Sequence, residues 1–255
     1  MTRRSLWFII VILFGTALPV HARDFKVYPY KTPSQGEIEL VYWWDYFVRS
    51  DKDHDYFGET LDKEGLQRHT FEIEYGITDR WTVAGYADFE KPKDGDFEYV
   101  QARAVVTRYR FFEQGERFID GAIYIEYYLP YKKYRESEKV ETRVILEKDL
   151  GPIAIVLNPI FDKNISGGVE EGMEFEYAAG LYYRATPWLT PGIECYGEMG
   201  ELSDLNPVDE QEHFIFPAAQ FRFSRRVGLD VGYGFGLTDD SDDRVLKVIL
   251  ELEFE

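Results

Sequence analysis

Cysteine is almost absent: Cys195 is the only one in 255 residues. That excludes an intramolecular disulfide and any metal site built from several cysteines. Histidine is scarce as well, with four in the chain. Bases are in deficit, because 29 Lys and Arg face 47 Asp and Glu, for a formal net charge of -18. A nucleic-acid partner is therefore disfavoured, since phosphate contacts need clustered bases. After the N-terminal segment, no apolar run approaches the roughly 20 residues that a membrane-spanning helix requires. What is abundant is aromatic: 19 Tyr, 19 Phe and 5 Trp. Aromatic residues favour strands.

The N-terminal segment reads as an export signal. Arg3 and Arg4 precede a short apolar run from Leu6 to Leu18, and Val20-His21-Ala22 fits a small-x-small cleavage site. The expected organisation is a signal peptide over 1–22, a periplasmic N-terminal segment over 23–35, and one domain over 36–255.

That domain alternates with period two. In "RVLKVILELEFE" (Arg244 to Glu255), Leu246, Val248, Leu250, Leu252 and Phe254 occupy every second position. In "GEIELVYWWDYFV" (Gly36 to Val48), Ile38, Leu40, Tyr42, Trp44 and Tyr46 oppose Glu37, Glu39 and Asp45. Such alternation places an apolar and a polar face on each strand. About twelve such segments follow one another. Short turns near 77–80, 113–117, 148–151, 185–188 and 224–226 alternate with longer loops at 49–66, 90–96, 130–138, 162–171, 199–211 and 238–243. Short turns at one end and long loops at the other describe an all-β, transmembrane, antiparallel up-and-down β-barrel. Trp81, Phe118 and Trp188 begin strands just after short turns, while Tyr75, Tyr109, Phe111, Tyr183, Phe221 and Phe223 end strands just before them. This is the placement of an aromatic girdle at a membrane interface. Two segments fit less well. The strand holding Val100, Ala102, Ala104 and Val106 is bounded by Glu98 and Arg108, and Pro217 lies inside a strand, where a bulge is expected.

On "YGITDRW" (Tyr75 to Trp81) and a terminal strand ending in Phe254, the chain resembles bacterial outer-membrane β-barrels. More narrowly, it is similar to the poorly characterised transporter-like barrels such as the phenol meta-pathway outer-membrane family. The resemblance implies an outer-membrane location, contact with membrane lipid and lipopolysaccharide, and insertion by the barrel assembly machinery through the C-terminal strand. Such barrels finish on the aromatic itself, whereas here Glu255 follows Phe254.

With apolar faces outward, the polar faces line an interior. The acids expected there include Glu37, Glu39, Asp45, Glu72, Glu74, Asp120, Glu126, Glu141, Glu174, Glu176, Glu194, Asp230 and Glu251. The expected bases are Arg103, Arg143, Arg184, Arg222 and Lys247. So acidic a lumen is expected to be wet, to repel anions and to favour small cationic or neutral solutes. A non-conducting structural barrel is the alternative. A third reading is an enzyme acting on lipid or peptide at the outer surface, drawing on His54, His69 or His213. No serine in the chain sits in a nucleophile motif, and Cys195 reads as a small apolar residue on an outward face. The acidic loops around Asp51, Asp53 and Asp55 and around Asp239 to Asp243 match no calcium-loop template. No cofactor, metal site or catalytic residue is expected.

Overall fold

A computed structural model describes residues 25–134, 137–166 and 172–254. The expected signal peptide and Glu255 lie outside the described residues. The strands are β1 (Ile38–Arg49), β2 (Asp53–Tyr56), β3 (Glu59–Asp62), β4 (Gln67–Thr78), β5 (Trp81–Lys91), β6 (Glu98–Arg110), β7 (Asp120–Pro130), β8 (Lys139–Leu150), β9 (Ile153–Asn164), β10 (Glu174–Tyr183), β11 (Leu189–Glu201), β12 (Asp204–Leu205), β13 (Glu212–Arg222), β14 (Val227–Gly236) and β15 (Arg244–Phe254). Twelve of these, all but β2, β3 and β12, form one antiparallel sheet in sequence order. Pairing of β1 with β15, from Ile38 opposite Phe254 to Phe47 opposite Val245, closes the sheet into a barrel. The "RVLKVILELEFE" strand is thus the closing strand, and the expected twelve-stranded barrel is the observed fold.

Alternation decides which side chains enter the barrel. Leu40, Ile73, Ile125, Leu157, Leu181 and Ile193 are exposed on the outer surface, while Glu72, Glu126, Glu141 and Glu194 are buried inside. At the short-turn end, Trp81, Tyr75, Tyr109, Phe118, Tyr183, Trp188 and Phe223 are exposed in a ring. An outer wall of this kind stays out of water only in a surrounding apolar medium.

The two awkward segments are resolved differently. In β6, Val105 adopts a left-handed φ of 52° and the register with β7 shifts between Ala104 and Thr107. This bulge leaves Val105 78% exposed and turns Val106, Arg108 and Arg110 inward with Arg103. In β13, no bulge accompanies Pro217. Its pairing with Ile193 on β11 holds register, and pairing with β14 resumes at Ala218 on the same offset that it had at Ile215. The glycines of β14 open room for neighbouring side chains: a Cβ at Gly234 would lie 2.2 Å from the Phe216 ring and one at Gly232 2.8 Å from Lys247.

The long-loop end is partly covered. Residues 49–66, expected as a long polar loop, contain the hairpin β2–β3. The segment expected as periplasmic also has a definite place. Residues 25–35 run back from the short-turn end into the barrel, where Phe25, Val27, Tyr28 and Tyr30 are buried. We call this segment the strap.

Candidate functional site

The strap is anchored at the short-turn end by the turn between β4 and β5. Gly36 N–H donates to the Gly76 carbonyl at 2.8 Å, and Gln35 N–H donates to the Asp79 carboxylate at 3.0 Å. Gly76 is required there, because a Cβ would lie 1.9 Å from the Ser34 carbonyl oxygen. The residues of "YGITDRW" are therefore used in this chain to seat the strap.

Farther in, wall side chains read the strap's backbone. Asn158, fully buried, accepts from Tyr28 N–H at 2.8 Å and donates to the Tyr28 carbonyl at 3.1 Å. Tyr30 N–H donates to Glu147 at 2.7 Å. Arg143, Arg108 and Lys247 donate to the carbonyls of Lys26 (3.2 Å), Pro29 (3.3 Å) and Phe25 (3.1 Å). The Lys26 ammonium pairs with Glu72 at 3.2 Å and lies 4.6 Å from the Trp43 ring centroid.

Most inward charges are paired. Asp88 takes Arg103 through two bonds of 2.9 Å and Thr70 at 2.7 Å, and Arg103 reaches Glu126 at 3.2 Å. Arg108 grips both oxygens of Glu74 at 2.8 and 2.9 Å. Arg143 meets Glu141 at 2.9 Å, Lys139 meets Asp162 at 2.5 Å, and Lys247 bonds Glu194. Under the hairpin, Glu90 receives His54 at 2.7 Å, Arg68 at 2.9 Å and Tyr134 at 2.9 Å. Buried pairs of this kind hold geometry, because removing one partner would strand a charge away from water.

This corrects the expectation of a wholly wet, base-poor interior. Lys26, Arg68, Arg108, Arg110 and Lys139 join the interior bases. The bulge at Val105 shifts the parity that governs Arg108 and Arg110, the strap brings Lys26, and β8 begins at Lys139. Arg184 and Arg222 are exposed at the short-turn rim, where both line the mouth of the open cavity and where Arg184 meets Asp149 at 2.7 Å and Arg222 meets Glu251 at 2.8 Å. Asp45 and Asp120 are buried, while Glu174, Glu176 and Glu198 gather near the long-loop end with oxygens within 4.8 Å of one another.

Open space remains on one side. A cavity of about 1020 Å³ enters from the short-turn end, between the strap and β11 to β15. Glu37, Glu147, Asp230, Glu251, Arg222 and Arg226 line it, and Glu194 and Lys247 stand at its inner part. Lys247 also bonds the Phe25 carbonyl, and the Phe25 ring centroid lies 5.4 Å from Tyr196, 5.2 Å from Phe214 and 4.8 Å from Phe216. The strap thus forms one side of the cavity. The histidine rings meet other partners: His69 bonds Tyr42 at 2.7 Å on the outer face, and His213 bonds Tyr177 at 3.0 Å and Gln211 at 2.8 Å. Cys195 is half-buried.

The internal strap escaped the sequence reading, which placed residues 23–35 outside the barrel. The signals for it were the aromatic–basic stretch Phe25 to Lys31 and a single inward amide, Asn158, in the otherwise apolar "IAIVLNPIF".

No known family pattern and no curated protein matches the chain. Solved structures do. The COG4313 outer membrane channel from Pseudomonas putida F1 is similar over 90% of this chain and 100% of its own, at 14% identity and a TM-score of 0.65. The KdgM porin, solved in complex with disordered oligogalacturonate, is similar over 86% of this chain and 99% of its own, at 8% identity and a TM-score of 0.54. The likeness is one of fold. This chain has the barrel architecture of outer-membrane channels and porins.

Proposed function

We propose that the protein is a bacterial outer-membrane channel for small cationic or neutral solutes, held shut by its own strap. The observation that carries this reading is the nature of the obstruction. The strap, tethered to the wall rather than part of it, occupies the lumen beside the cavity and lines it through Lys26, Val27, Pro29 and Lys31. In this reading the short turns face the periplasm, the exposed apolar wall meets lipid and lipopolysaccharide, and the β15 strand with Phe254 engages the assembly machinery. The histidines serve structure, and no catalysis is assigned to them.

The paired interior charges favour a second reading, a non-conducting structural barrel. Planar-bilayer recording separates the two. The wild-type chain is compared with a full-length variant in which residues 25–33 are replaced by Gly and Ser, its folding checked by heat-dependent gel mobility. A channel shows small or rare openings for the wild type and conductance at least severalfold larger for the variant. A folded variant that stays silent ends the channel reading.

A further inference from the structure

We propose that the groove holding the strap is a binding site for extended, basic, aromatic-rich peptides, which residues 25–33 occupy in cis. The proposal rests on the channel reading for access, since an external ligand reaches the groove once the strap withdraws.

The first support is what the wall recognises. Six of its hydrogen bonds fall on main-chain atoms of the strap, namely the carbonyls of Phe25, Lys26 and Pro29, the N–H and C=O of Tyr28, and the N–H of Tyr30, beside side-chain bonds from Lys26 to Glu72 and from Tyr28 to Tyr86. Contacts to main-chain groups accept any extended peptide of suitable shape, whereas side-chain pockets set preference. Asn158 is the decisive group. Its amide pairs at once with the N–H and the C=O of a single residue, the donor and acceptor that each residue of an extended peptide presents.

The second support is a cation subsite. Lys26 Nζ sits 3.2 Å from Glu72 and 4.6 Å from the Trp43 centroid. Carboxylate and ring are both wall groups, and together they suit an ammonium or guanidinium. The third is aromatic. The Tyr28 ring lies 4.9 Å from Tyr124 and 4.4 Å from the Arg143 guanidinium carbon, and Phe25 nests among Tyr196, Phe214 and Phe216. Main-chain clamps, a cation seat and two ring seats follow one another along one extended path.

The test uses the full-length Gly–Ser variant and a fluorescent peptide of sequence FKVYPYKTP, with binding read by anisotropy. The peptide should bind saturably, and a scrambled peptide at least tenfold more weakly. Asn158→Leu in the barrel, and Lys26→Ala in the peptide, should each weaken binding at least tenfold. Equal binding of the scrambled peptide, or no binding by a folded barrel, overturns the proposal. If the Gly–Ser variant does not fold, a protease site inserted after Ser34 allows the native chain to fold first and be cut afterwards. Exchange of the released strap for labelled peptide then supports the site, and strap release without rebinding overturns it. Peptide binding without conductance would retain this site and end the channel reading. Conductance without peptide binding would do the reverse.

Discussion

Gly76 ties the most recognisable motif of the chain to its least expected feature. A Cβ there would lie 1.9 Å from the backbone oxygen of Ser34, and a backbone atom cannot swing aside as a side-chain tip can. Gly76→Val is expected to lift the strap from its seat at a cost of about 1–3 kcal/mol, the usual range for forced overpacking. Limited trypsin digestion in detergent should then cut after Lys31 about tenfold faster, while heat-dependent gel mobility stays that of a folded barrel. Unchanged cleavage would show that Gly76 serves only the turn. At this scale the sequence was half legible. "YGITDRW" reads as a turn because Gly and Asp, and more weakly Thr, suit one, but nothing local says that Asp79 also accepts a hydrogen bond from Gln35. Asn158 was similarly silent, since one amide in an apolar strand gains meaning only once its partner at Tyr28, 130 positions away, is known.

Among the elements, strands with strict alternation were read correctly from period alone, because a closed barrel buries one face of every strand. The failures fall where another device intervenes. The bulge at Val105 exchanges inside for outside in the second half of β6, so simple parity misplaced Arg108 and Arg110. Pro217 shows the converse: a residue that reads as a disruption is absorbed without loss of register. The β2–β3 hairpin is a third case, a polar segment ordered by tertiary contacts rather than by its own composition. His54 is its anchor, 1% exposed and 2.7 Å from a Glu90 that is equally buried, with Lys63 bonded to Asp242 at 2.7 Å beside it. His54→Ala removes a buried hydrogen bond to a charged group, a loss of about 1.5–3 kcal/mol. Because the damage is confined to the hairpin, proteolysis after Lys52 should rise by about tenfold or more with barrel mobility on gels unchanged. Hydrolysis of lipid or peptide substrates should remain at background in both proteins, and activity present in the wild type but lost in the variant would instead make His54 catalytic.

The whole molecule combines a charge imbalance with a strap seated in the lumen. Among the described residues, fourteen buried Asp and Glu face six buried Lys and Arg, so the paired network still leaves the interior net acidic. Composition foretold the sign of this imbalance but overstated its size, because bases reach the interior by routes that period-two counting does not see. The strap adds Lys26 to the basic side, and in the proposed channel its withdrawal would make the lumen more acidic. Fixed carboxylates inside a low-dielectric wall concentrate cations and repel anions, and salt screens the effect over about 10 Å at 0.1 M. The Gly–Ser strap variant should therefore show a reversal potential, across a KCl gradient, of the sign for potassium over chloride, with selectivity falling as salt rises toward 1 M. Glu72→Gln in that background should lower the preference, since Glu72 is the carboxylate that Lys26 leaves uncovered. Chloride preference, or selectivity indifferent to salt, would mean that the exposed arginines of the short-turn rim, Arg184 and Arg222 among them, govern permeation in place of the interior acids.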